Sequence, residues 1–337
     1  MRGRVLHGLS GCAKFRLLSA RFKESFPRDE PYVLELSAPH FLPAAAAFSG
    51  LEGSDPRQFP LESEGLDRTL QKEHEMTGKE IDGSHEMPHC SPAAGTCPRV
   101  DEYEALLATA RQHFDQHPSV AALFRDRLEP DTLEAFLIYF SALGVGMTEP
   151  VDGWIRRAGR RCGELGLSKL GNALEAHAHQ EAGHHLLMQA DANRLVDRWN
   201  ASRQPSLSAT ALFALAPTKG VTAYRSLHED VIAGPAPYGQ LAIEYEIEML
   251  SVAYGPRLIE RCTRLLGPGI LEALSFLSDH VALDVGHTHF NRLQLSSLLD
   301  ENPSYLSNLV SAGSAALEAY AMFFDDCLGL GRQTLLP

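Results

Sequence analysis

From Val100 to the C-terminus, no stretch alternates apolar and polar residues with a period of two, so no half-buried strand is written there. Apolar residues recur every three to four positions, the spacing that gives a helix one buried face. The pattern predicts helices over 101–116, 118–128 and 130–144, with His117-Pro118 punctuating the first two. Asp131 is a suitable N-cap, with Glu134 three residues on. Gly144 and Gly146 are expected to loosen the third helix just before Met147, Thr148, Glu149 and Pro150. The stretch 165–203 reads as one long helix, and 206–215 and 221–233 as shorter ones. Pro235 and Pro237 then break the chain. Helices over 238–266, 270–299 and 304–328 follow, with Gly267-Pro268-Gly269 between the first two. The fold class expected for 100–337 is therefore all-α, with about seven main helices in one domain.

The first hundred residues have a different texture. Residues 1–23 carry Arg2, Arg4, Lys14, Arg16, Arg21 and Lys23 and no acid, a bias like that of a transit peptide but without a secretory apolar core. Nine of the chain's 20 prolines fall between Pro27 and Pro98, among Gly, Ser and Glu, with no sustained periodicity. Such a stretch buries too little apolar surface to offset its ordering entropy, so 1–99 is read as a largely disordered, low-complexity extension. A start further downstream, at Met76, is the other reading of this segment. His85, His89, Cys90 and Cys97 match no zinc-ligand spacing.

Composition removes several classes. The chain is 44% hydrophobic and 22% charged, which excludes a wholly disordered or collagen-like protein. No run approaches the roughly 18 apolar residues of a membrane span. With 30 basic against 43 acidic residues the net charge is −13, a poor basis for binding nucleic acid. Six cysteines without a CxxC spacing imply neither a disulfide scaffold nor a zinc module, and a cytoplasmic, reducing setting is expected.

Seven of the fifteen histidines crowd into two windows inside long predicted helices. In the second, His280, Asp284 and His287 have the spacing H-x3-D-x2-H. On a helix Asp284 lies about 40° from His280 and His287 about 20° on the other side, so all three share one stripe. Two imidazoles and a carboxylate on one face suit a first-row divalent ion, iron or manganese before structural zinc. Leu283, Val281, Val285 and Phe290 flank the stripe, a setting in which unpaired ionisable groups would be costly. His289 falls on the opposite face.

The first window, Glu175 to His185, holds more ligand types than one centre needs. Glu181 and His184 form E-x-x-H, an i,i+3 pair used in di-iron bundles. Glu175 and His185 are the alternative pair, about 15 Å apart along a straight helix. Glu149 sits in an apolar stretch, and Glu244 and Glu248 share one face of the 238–266 helix with Glu246 turned away. Three or four carboxylates with three imidazoles is the ligand count of a two-metal centre.

The H-x3-D-x2-H element, with a Glu/His helix before it and a Glu helix between, resembles the haem-oxygenase-like di-iron oxidases and oxygenases over about residues 100–330. The separations of Glu149, Glu175 and His185 resemble the branch that N-oxygenates amino-acid-derived nitrogen. The Glu181/His184 pair resembles the fatty-acid decarboxylating branch. The resemblance implies a seven-helix bundle whose metal ligands are Glu149, Glu175, His185, Glu248, His280, Asp284 and His287, with Glu244 as substitute for Glu248. It implies two Fe(II)/Fe(III) ions as cofactors and O2 as co-substrate. The activity implied is oxidation of a small amino acid or derivative in specialised metabolism, by N-oxygenation or oxidative C–C cleavage. An external electron donor and a homodimer are compatible with that reading; nucleic acid and membrane are not expected partners.

Tyr139, Tyr245 and Phe290 are read as core aromatics. The arginines at 156, 157, 160 and 161 are read as a solvated face before an anion site. Three other functions fit the same helices: a metal-free enzyme of the thiaminase-like or PQQ-synthase-like kind, a haem-binding bundle with one axial His, and a non-catalytic interaction protein.

Overall fold

The computed structural model describes residues 98–124 and 127–336, and every regular element among them is helical. In chain order these are α1 (Pro98–Gln116), α2 (Pro118–Leu123), α3 (Pro130–Thr148), α4 (Val151–Glu164), α5 (Ser168–Glu181) and α6 (His185–Asn200). Then come α7 (Ala209–Phe213), α8 (Lys219–Ala233), α9 (Gly239–Leu266), α10 (Ser275–Glu301) and α11 (Leu306–Thr334). Short 3-10 turns at Pro268–Ala273 and Pro303–Tyr305 precede α10 and α11. The all-α expectation is met. The readings of residues 1–97, including the basic leader, the downstream start and the His85 to Cys97 cluster, lie outside the described residues.

Local chemistry accounts for several helix ends. Pro118 and Pro130 occupy first helical positions, where a missing N–H costs nothing. Ser208 and Thr218 cap α7 and α8 by accepting from the N–H of Ala211 and Val221. Gly267, at φ +83°, ends α9.

Three ends differ from expectation. Gly144 and Gly146 do not loosen α3, which runs on to Thr148. The expected single helix over 165–203 is broken, because Gly166 (φ +82°) and Gly183 (φ +91°) turn the chain before α5 and before α6. Nor does α10 begin at 270. Its start is set from another helix: Asp191 of α6 accepts from the N–H of Ser275 (3.0 Å) and Phe276 (2.8 Å) and from the Ser275 hydroxyl (2.6 Å). A carboxylate there also complements the positive end of the helix dipole.

Helix α9 is the element about which the site is built. Its first three turns are buried on every side, carboxylates included: Leu241, Ile243, Glu244, Tyr245, Glu246 and Glu248 are all buried. Glu246 does point away from Glu244 and Glu248, but into α1, where Arg111 donates to it twice at 2.8 Å and Tyr103 once at 2.9 Å. That pairing satisfies a buried charge and fixes the rotation of α9. Helices α10 and α11 pack along α9, and α4 packs on α5. At the α4–α5 crossing a Cβ on Gly159 would lie 2.9 Å from the Gly171 carbonyl oxygen, and one on Gly171 2.7 Å from that of Gly159. Only glycine allows the two backbones this approach, which holds α5 at its depth in the bundle. Aromatic contacts among Phe136, Phe140, Phe323 and Phe324 join α3 to α11, and truncating such a ring typically costs about 3–5 kcal/mol.

Candidate metal centre

Three pieces of chain bring ligating atoms together. His177 and Glu181 lie on the last turns of α5, and His184 on the link to α6. Glu248 comes from α9, and His280, Asp284 and His287 from α10. One donor atom from each of His177, Glu181, Glu248 and His287 falls within 4.8 Å of the others, and Glu181, His184 and His280 meet the same condition. Glu181 belongs to both groups, and its two oxygens face different partners. Oε1 lies 3.3 Å from His287 Nδ1 and 3.5 Å from His177 Nε2, while Oε2 lies 2.9 Å from His184 Nδ1. One carboxylate thus faces both groups of imidazoles. Asp284 stands beside the first group, its Oδ1 3.3 Å from His287 Nδ1.

The donors converge rather than pair. His177 Nε2 and Glu248 Oε1 are 2.9 Å apart, yet neither completes a hydrogen bond, and both nitrogens of His177 and Nδ1 of His287 are buried without one. Buried polar atoms are nearly always bonded, so a knot of misaligned donors fits the demand of a cation. The surroundings also orient the ligands. His280 Nδ1 donates to the Phe276 carbonyl at 2.9 Å, which leaves Nε2 with the free lone pair. Asn291 Nδ2 donates to Glu248 Oε2 at 2.7 Å, fixing one oxygen and leaving the other for a metal. The mixture of imidazole and carboxylate suits iron or manganese.

Electrostatics agree with sites built to exchange protons for metal. Burial opposes protonation of His177, but the Glu181 and Glu248 carboxylates outweigh it and raise the imidazole to about 11. Burial would raise Glu181, but the His177 and His184 imidazoles beside it hold it far below the usual carboxylate range. Burial raises Glu248 and lowers His280, and Asp284 raises His287. Glu244 is pushed up to about 8, chiefly by burial. Gln240 Nε2 donates to Glu244 Oε1 at 2.5 Å and holds it at the wall of the adjoining cavity.

Of the seven residues expected as ligands, the structure brings together Glu248, His280, Asp284 and His287. It does not bring the other three to them. Glu149 is exposed at the C-terminal end of α3. Glu175 faces α4, where Arg156 donates to it at 3.1 Å. His185 opens α6 after the Gly183 turn and is in neither group of converging donors. Beside those four stand His177, Glu181 and His184, of which His177 was not foreseen. A signal for it was present: His177-x3-Glu181-x-Gly183-His184 repeats the spacing of His280-x3-Asp284-x-Gly286-His287. Three of the four arginines of α4 are engaged with acids, Arg156 also with Asp152, Arg157 with Glu229 and Arg161 with Glu164. Tyr139 bonds Thr334 and Tyr245 bonds Glu104, both away from the cluster, whereas Phe290 packs edge-on against His177.

A cavity of about 100 Å³ adjoins the cluster. Glu181, Glu244, Glu248, His280 and Asp284 form one end of its wall. Glu244, Glu248, Ser251, Gly255 and Leu258 carry the wall along one face of α9 for about 21 Å. The rest is mostly apolar and aromatic, including Phe114, Phe124, Met147 and Phe276, and among the described residues no Lys or Arg lines it. Among the described residues, no helix is long and apolar enough to cross a membrane, and Cys162, Cys262 and Cys327 are free and buried.

Among solved structures, the chain is similar to a domain of unknown function with a haem-oxygenase-like fold from Shewanella denitrificans OS217. The two share 16% identity over 68% of this chain and 90% of that one, with a TM-score of 0.54. It is also similar to a CADD-like protein of unknown function from Nostoc punctiforme PCC 73102, at 15% identity over 70% of this chain and 100% of that one, with a TM-score of 0.48. At such identities the likeness is one of fold, and the fold is haem-oxygenase-like. No family profile matches the sequence, and comparison with curated proteins finds no similar chain.

Proposed function

We propose that this chain is a non-haem di-iron oxidase or oxygenase. The observation that carries the reading is Glu181, a buried carboxylate whose two oxygens face two separate sets of imidazoles. His177, Glu248 and His287 would hold one ion, His184 and His280 the other, and Glu181 both, with Asp284 beside them. Two irons bound there would supply O2 activation and a strong oxidant. The chain's own residues do the rest. Carboxylates such as Glu181 can change binding mode as charge on the ions changes, while the imidazoles keep their place. Phe276 and Phe290 shield the cluster from water. In the metal-free chain burial pushes Glu244 up to about 8, and its carboxyl stands at the cavity wall within reach of a bound molecule.

The substrate is a small organic molecule whose apolar part lies along α9 and whose reacting atom reaches the acidic end. An amino acid or derivative whose side chain is apolar or aromatic matches the mostly apolar, aromatic lining. N-oxygenation and oxidative C–C cleavage both start from that placement. Repeated turnover draws on an external electron donor.

The test is O2 uptake by the iron-loaded chain against a panel of apolar and polar amino acids, their amines and their deaminated acids, with product masses. The reading expects substrate-dependent uptake, with gain of oxygen on nitrogen or loss of carbon dioxide. Iron-loaded protein that consumes no O2 with any of them contradicts it.

A further inference from the structure

The mechanism leaves a second group of redox-active side chains unused, between the cavity and the surface. Tyr224 of α8 lines the cavity together with Glu181, Glu244 and Glu248. Behind it lies Trp154 of α4, with ring centroids 6.1 Å apart. Trp154 is only 1% exposed, but its indole N–H donates to Glu229 Oε1 at 2.8 Å, and Glu229 stands at the surface. Arg157 grips the same carboxylate with two hydrogen bonds of 2.7 and 2.9 Å. His228 stacks face to face on the indole, centroids 4.1 Å apart at 8°.

We propose that Trp154, reached from the cavity through Tyr224, is the exit by which an oxidising equivalent generated at the metal pair without substrate leaves the core. The inference rests on the two-metal reading above. Tyr224 bridges rather than keeps the charge, because its hydroxyl is hydrogen-bonded to no base among the described residues. Trp154 does have one. An indole that loses an electron becomes a much stronger N–H acid, and the Glu229 carboxylate, though Arg157 lowers it to about 2, is already bonded to that proton and offsets the charge on the oxidised ring. The step balances: one electron passes from Trp154 to the O2-oxidised metal pair, the indole proton passes to Glu229, and a neutral indolyl radical remains. A one-electron reductant from solution, of the ascorbate or thiol class, returns the electron, and Glu229 returns the proton.

Two features fix the direction. The Arg225 guanidinium lies 5.9 Å over the Trp154 ring, and a cation there makes the indole harder to oxidise. Only a strong oxidant draws on it, so the path vents rather than feeds the cluster in normal turnover. His228 is fully buried and neutral, and adds no second positive charge against the oxidised ring.

The chain carries its own control. Trp199, the other tryptophan, is as buried, but its N–H donates to the Pro205 carbonyl, which cannot take a proton. The experiment exposes the iron-loaded full chain to O2 without substrate. It follows iron content, O2 uptake, the radical trapped by rapid freezing with ring-deuterated tryptophan, and oxidised residues by peptide mass mapping. The expected result is a tryptophan radical and oxidation at Trp154 several-fold above Trp199. Trp154→Phe should abolish the radical and move oxidation to cavity residues such as Met147, with iron content unchanged. Glu229→Gln, a surface change that spares the fold, should also remove the neutral radical. Equal oxidation of both tryptophans, or a radical that survives both variants, overturns the exit alone. Absence of iron binding or of O2 uptake overturns the two-metal reading, and the exit with it.

Discussion

The two ligand-bearing arms of the centre share a local pattern but differ in backbone. His177-x3-Glu181-x-Gly183-His184 and His280-x3-Asp284-x-Gly286-His287 match position for position. They meet in reverse order, His177 against His287 at 5.0 Å between ring centroids and His184 against His280 at 4.6 Å. The second arm lies on one unbroken helix, α10. The first is interrupted at Gly183, φ +91°, so that His184 turns inward while His185 and α6 depart. The acids differ by one methylene. Asp284 stays within its own arm, beside His287, whereas Glu181 reaches imidazoles of both. Spacing places the stripe; side-chain length and one glycine decide which acid reaches imidazoles of both arms.

The contrast can be broken at its centre first. Glu181→Ala should empty both sites, taking bound iron from two per chain to none, whereas Asp284→Ala should retain at least one. Because loss of a mere supporting partner costs about 10–100-fold in metal affinity, loss of the shared ligand should exceed that. Metal analysis after anaerobic loading checks it. Next, the reversed pairing predicts that His177→Ala and His287→Ala each leave one iron, and that the double variant resembles either single one. An additive loss would show that the two histidines serve different ions.

The glycines sharpen the backbone difference. Gly183→Ala should destabilise the chain by about 1–2 kcal/mol, since alanine resists the left-handed conformation. Gly286 is helical with nothing within 4 Å of an added Cβ, so Gly286→Ala should stabilise by about 0.5–1 kcal/mol. Denaturant midpoints of the metal-free variants decide.

The smallest effect is in protons. In the metal-free chain His177, raised to about 11 by Glu181 and Glu248 against burial, keeps its proton through neutral pH. Its contribution to stability is full below its unfolded value of about 6.5 and fades as pH rises toward 11. Metal must displace that proton, so affinity should rise with pH, by about tenfold per unit for each proton released. Calorimetry in buffers of different ionisation enthalpy would show the release at neutral pH.

Much of this was legible in the sequence. Helical periodicity after Val100 and the absence of strands predicted the all-α fold, and the α10 stripe pointed to His280, Asp284 and His287 together. What was not legible depended on contacts distant in sequence. The start of α10 is set by Asp191, 84 residues before Ser275. Glu175 was a reasonable ligand by type, but Arg156 draws it to α4. The break at Gly183 reads on paper like any glycine in a helix, and only the chain's turn separates His184 from His185. His177 was visible through the repeated spacing, a signal obscured by the surplus of ligand types in that window.

The most direct measurement is anaerobic titration of the metal-free chain with ferrous iron, followed by X-ray absorption at the iron edge. A centre bridged by Glu181 predicts saturation at two irons per chain and an iron–iron scattering distance of about 3.5–4 Å. Saturation at one iron, or two irons without a metal neighbour in that range, would contradict it.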